Sequence, residues 1–107
     1  MMPARRTAAS TGEGGERGDL APLRAEIERL DTELVQLIAR RVRLARDVGE
    51  AKLGAGMPTL DPTREATVVR RAVTLAREAG LEADVEIRQI YWLLIALCRR
   101  AQTSDAL

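Results

Sequence analysis

A chain of 107 residues fits one domain, its 46% apolar content excludes wholesale disorder, and with Tyr91 and Trp92 as its only aromatics the core falls to Leu, Ile, Val and Ala. A net charge of +1 argues against a dedicated nucleic-acid binder, and no apolar run approaches the roughly 20 residues of a membrane span. With no histidine and the single Cys98, an internal disulfide and Ser-His-Asp or Cys-His catalysis are excluded, and no metal site is expected.

Residues 1–18 (MMPARRTAASTGEGGERG) are rich in Gly, Ala, Ser, Thr and charge and read as a disordered tail. Despite Arg5 and Arg6 they lack the apolar h-region of an export signal, so the expected location is the cytoplasm. Asp19 is the expected N-cap of a first helix over about Leu20–Leu53, opening a helical domain that spans 19–103. Leu23, Ile27, Leu30, Leu34, Leu37, Leu44, Val48 and Ala51 follow a 4-3-4-3 spacing, the a and d pattern of a helix packed along its length. Such a helix would be roughly 50 Å long, whereas a compact 100-residue domain has a radius of gyration of about 13 Å. Two shorter helices of the same chain cannot cover that seam, which predicts an obligate homodimer.

Gly54-Ala55-Gly56-Met57-Pro58 should end the first helix, and Asp61-Pro62 should start the second with Asp as N-cap and Pro at the first helical position. Val68, Val69, Ala72, Val73 and Ala76 give this helix its apolar face, and Gly80 stops it. Asp84 is the candidate N-cap of a third helix. Its apolar face runs through Ile87, Ile90, Tyr91, Leu94, Leu97, Cys98 and Ala101, and residues 104–107 fray. There is no strand alternation, so the fold class is all-α, with three helices per chain.

Arg41 is the sharpest anomaly, because it fills the seam position between Leu37 and Leu44. A guanidinium taken out of water needs an anion. That anion is either a protein acid such as Glu33 or Glu65, or a ligand carboxylate held by a bidentate pair. Lys52 is the only lysine beside sixteen arginines. It lies eleven residues after Arg41, about 20° from the same helix face and about 16 Å along it. Two long side chains at that spacing can hold a small dianion between them. Arg24 is about 25 Å from Arg41 and about 100° around the helix, so it reaches the same ligand only from a second chain. Arg64 and Glu65 open the second helix, where they also fit a solvated charge pair. Cys98 and Gln102 are neighbours on the third, where an amide near the helix end also fits plain surface exposure.

Together, LRAEIERLDTELVQLIARRVRLARDVGEAKL (23–53), DPTREATVV (61–69) and, more weakly, IRQIYWLLIALCRRAQ (87–102) resemble the all-helical chorismate mutases. The ordered set LR, LD, an Arg between leucine-rich turns, then VGxAK carries the resemblance. It implies an interlocked dimer with two active sites and no cofactor, rearranging chorismate to prephenate. It further implies that Arg24 of one chain and Arg41 of the other bind carboxylates. Lys52 and Gln102 then donate to the ether oxygen, Arg64 adds positive charge, Glu65 accepts from the ring hydroxyl, and Asp61 contributes through its backbone. Cys98 stands where relatives can have Ser contacting the ring carboxylate, and a thiol is the weaker donor. Aligning Gln102 also requires one extra residue in the loop near 80–86.

Two other readings belong beside this one. The same fold serves 4-amino-4-deoxychorismate mutases and isochorismate-pyruvate lyases, and Glu65 suits a hydroxyl or an ammonium. A non-enzymatic helical dimer would satisfy Arg41 with protein acids and bind no small dicarboxylate. The resemblance leaves room for association with another shikimate-pathway enzyme.

Overall fold

A computed structural model of the chain describes residues 13–103. They form three helices and, among the described residues, no strand: α1 Glu13–Gly54, α2 Pro62–Glu78 and α3 Asp84–Thr103. The chain divides into two units, Met1–Leu37 and Ile38–Leu107. In the described part of the first, α1 presents Leu23, Ile27, Leu30, Leu34 and Leu37, all more than half exposed.

The second unit holds the C-terminal part of α1 with α2 and α3. Its buried apolar side chains are Val69, Ala72 and Val73 of α2 and Ile95, Cys98 and Ala101 of α3. These are small or β-branched, so α2 and α3 pack closely. Ion pairs close both ends of this antiparallel hairpin: Arg77 with Asp84 beside the turn, and Glu65 with Arg99 at the far end.

Helix ends follow local chemistry. After α1, Met57 N donates to Lys52 O at 2.8 Å and Gly56 N to Leu53 O at 3.1 Å, with Gly56 at φ 70°. This is the paired-bond termination that a left-handed residue permits. Gly80, at φ 85°, ends α2 the same way, through Leu81 N to Ala76 O at 2.9 Å. The Asp61 carboxylate caps α2 by accepting from Arg64 N at 3.1 Å, with Pro62 in the first turn as expected.

Three expectations need correction. The first helix begins at Glu13, so Asp19 is not its N-cap, and residues 13–18 are helical in place of a tail. Pro22 sits inside the helix at a cost of one backbone hydrogen bond, while extension from a formed helix gains one bond per residue. Asp84 is the first helical residue of α3, not its cap. Its carboxylate is engaged by Arg77, and the Ala83 carbonyl takes the first helical bond, from Ile87 N at 2.9 Å. On α3, Ile90 is exposed and Ile95 is in the core, because α3 turns the 95–98–101 face toward α2. Residues 1–12 and 104–107, assigned to the tails, lie outside the described residues.

Candidate active site

The site is a cavity of about 410 Å³ within the second unit, bounded by all three helices and the loop before α2. Leu44 and Val48 of α1, Val68 of α2 and Ile95 of α3 give it apolar walls. Of the sequence candidates, Arg41, Lys52, Asp61, Arg64, Glu65, Cys98 and Gln102 all line it. Arg24 is exposed in the first unit and is not part of this lining.

Arg41 is half-buried and projects from α1 to α3. Its Nη1 lies 3.1 Å from Cys98 Sγ, a buried free thiol, and its guanidinium stands 5.9 Å from the centre of the Tyr91 ring. That is cation–π range. Neither contact is with a carboxylate. Of the protein acids considered as its partner, Glu65 is held by Arg99 instead.

Lys52, in the last turn of α1, is half-buried and donates from Nζ to Thr59 O at 3.2 Å. The loop backbone thereby holds the ammonium against the cavity wall without neutralising it. A cation at a helix C-terminus also faces a favourable dipole. Gln102 lies one residue before the end of α3 and is half-buried. Its seat is set by Gly49 of α1, a buried position where a Cβ would come within 3.0 Å of the Gln102 Cα, Cβ and O. A side chain at position 49 would require α3 to give by a few tenths of an ångström, and the contact sets the Gln102 backbone one turn before Lys52 on α1.

Glu65 and Arg99 form a two-point pair: Arg99 Nε donates to Oε2 at 2.8 Å, and Nη2 to Oε1. The Arg99 guanidinium holds the Glu65 carboxyl below its ordinary 4.5, outweighing the opposing effects of burial and of Asp61. Glu65 is therefore an ionised acceptor at neutral pH.

Arg99 was not anticipated. It lines the cavity, and it lies three residues before Gln102, hence on the same helix face. That was the available signal, masked by the abundance of arginine. Gly49 was seen only as part of VGxAK, and Thr59 acts through its backbone, which no side-chain pattern reveals.

The lining holds four cations (Arg41, Lys52, Arg64 and Arg99) and two carboxylates (Asp61 and Glu65). A surplus of two positive charges, apolar walls and a neutral amide donor suit a small dianion with an apolar body. No cluster of three or more potential His, Cys, Asp or Glu metal ligands occurs among the described residues, and no described helix is long and apolar enough to cross a membrane.

The sequence profile of a family described as chorismate mutase type II matches residues 23–103, which include all eight candidate positions from Arg24 to Gln102. The chain is 37% identical over 76 residues to chorismate mutase of Methanocaldococcus jannaschii, covering 71% of this chain and 76% of that protein. It is 41% identical over 66 residues to the T-protein of Haemophilus influenzae, or 62% of this chain and 18% of that protein. With the bifunctional chorismate mutase/prephenate dehydratase of Escherichia coli K12, identity is 38% over 76 residues, or 71% and 19% of the two. The matched segment thus spans less than a fifth of the T-protein and of the bifunctional enzyme. A profile that runs from the first turn of the heptad seam to the end of α3, over a cationic cavity built from the same segment, assigns the chain to the type II chorismate mutase family.

Proposed function

We propose that the chain rearranges chorismate to prephenate. The observation that carries this reading is the convergence of Arg41, Lys52 and Gln102 on one cavity of about 410 Å³. The reaction is pericyclic and unimolecular, so it requires no nucleophile, metal or proton shuttle. That suits a chain without histidine. Two tasks remain for the protein. One is to hold the extended dianion in a chair-like shape, a positioning effect. The other is to stabilise negative charge as it grows on the ether oxygen, through donors already in place.

Arg41 takes a carboxylate, with Cys98 and Tyr91 keeping its guanidinium oriented. Lys52 and Gln102 donate to the ether oxygen, Glu65 accepts from the ring hydroxyl, and Arg64 supplements the positive field at the mouth. An acceleration of about 10⁶ needs only about 8 kcal/mol, within reach of a few fixed donors.

The working unit is a homodimer. The exposed leucines of α1 provide a face for a second copy, and Arg24 enters the site from that copy. The expected location is the cytoplasm. The bifunctional relative joins a mutase and a prephenate dehydratase in one chain, which supports association of this chain with another enzyme of the pathway. A helical adaptor without activity would neutralise Arg41 with protein acids, and Arg41 instead meets a thiol and a ring.

Chorismate consumption and prephenate formation by the purified protein test the reading directly. Lys52→Ala should lower kcat/KM about 10²–10³-fold, the effect of removing one transition-state donor, with far-UV CD and dimer mass unchanged. Undiminished turnover in that variant would refute the assignment.

A further inference from the structure

We propose that Arg99 sets the charge preference of this site, favouring a substrate whose ring carries a hydroxyl over the analogue carrying an ammonium there. The inference rests on the mutase reading and deepens it. Glu65 is the group assigned to that ring substituent. An unpartnered carboxylate would accept a hydrogen bond from a hydroxyl, but it would bind an ammonium more strongly, through a charge-assisted bond.

The Glu65 carboxylate is not unpartnered. Arg99 approaches edge-on, Nε to Oε2 at 2.8 Å and Nη2 to Oε1, so its fork occupies one lone pair of each oxygen. The Glu65 side chain is 14% exposed and that of Arg99 47%, so the acid is the enclosed member and the arginine covers it from the solvent side. Each oxygen keeps a second lone pair for a neutral donor. The formal charge, however, is already compensated. An ammonium arriving at Glu65 meets a balanced pair with a guanidinium behind it, in a lining where cations outnumber carboxylates four to two. A hydroxyl is indifferent to that balance. Helix geometry keeps the arrangement in place, because Glu65 sits in the first turn of α2 and Arg99 near the end of the antiparallel α3.

The test compares chorismate with 4-amino-4-deoxychorismate on the full chain, by kcat/KM and by isothermal titration, in the wild type, Arg99→Gln and Arg99→Lys. The wild type should prefer chorismate, and Arg99→Gln should shrink that preference about tenfold or more. Arg99→Lys loses the fork but keeps the charge and should fall between them. If Arg99→Gln does not fold, Arg99→Met, which also removes the charge, takes its place: a preference reduced about tenfold supports the proposal, and one within about twofold of the wild type's overturns it. A preference unchanged within about twofold in a folded Arg99→Gln overturns it as well. A wild type that prefers the ammonium-bearing acid sinks the proposal while leaving a mutase on the analogue. A wild type that neither binds nor converts either acid sinks the chorismate reading, and the role of Arg99 with it.

Discussion

Gly49 sets the position of Gln102 without itself lining the cavity. A methyl group there would sit 3.0 Å from three atoms of Gln102, two of them backbone, so α3 itself would have to move. Forcing extra volume into a packed contact costs about 1–3 kcal/mol. Gly49→Ala should therefore lower Tm by several degrees, at roughly 4–8 °C per kcal/mol for a chain of this size. If Gln102 is the proposed ether-oxygen donor, the variant should also reduce kcat more than it raises KM. Thermal melts and steady-state kinetics on the same preparation check both. A lower Tm with unchanged kcat would mean that Gln102 is not the donor. This position also marks how far residues could be read from sequence. Lys52 was legible as a lone lysine and Arg41 as a charge in an apolar seam, because each breaks a pattern. Gly49 and Arg99 break none, and their importance lies in what another helix brings against them.

At the level of elements, α1 and α2 were readable from their punctuation: Asp61-Pro62 at the start of α2, and Gly56 and Gly80 at the ends of α1 and α2. Two starts were misplaced, for opposite reasons. Asp19 has the chemistry of a cap but lies within a helix that extends past it, and Asp84 gives its carboxylate to Arg77. The exchange of Ile90 for Ile95 in the core has a similar origin, since periodicity offers several apolar faces on α3 and only packing against α2 selects one. The pairing of α2 with α3 carries a pH signature through Glu65. Arg99 holds its carboxyl below the ordinary 4.5, so the pair's contribution is complete above that value and is lost as pH falls through the lower folded one. The Tm difference between wild type and Glu65→Gln should stay constant from about pH 7 to about pH 5 and shift against the wild type in more acidic buffer. A difference that stays flat down to about pH 3 would show that the pair is not coupled to folding.

For the whole molecule, the decisive question is whether one active site draws on two chains. Arg24 and Lys52 separate the possibilities, because in the proposed dimer each site takes Arg24 from one protomer and Lys52 from the other. Arg24→Ala and Lys52→Ala chains should each be weakly active alone. Refolded together in equal amounts, they should recover about a quarter of wild-type activity, since random pairing makes half the dimers mixed and each mixed dimer keeps one intact site. Two chains each complete in themselves would show no recovery. The sequence led to the expectation of a homodimer because a 4-3-4-3 seam of that length demands a cover, and Leu23, Ile27, Leu30, Leu34 and Leu37 are exposed along it.

The partners of Arg41 have a consequence for selectivity among anions. A sulfur atom and an aromatic face orient the guanidinium without cancelling its charge. A cavity whose lining cations outnumber its carboxylates four to two should also attract other compact, multiply charged anions, so sulfate, phosphate or citrate added to an assay is expected to raise the apparent KM for the proposed substrate. The affinity for the proposed substrate should likewise fall with rising ionic strength, as added salt shortens the reach of the field.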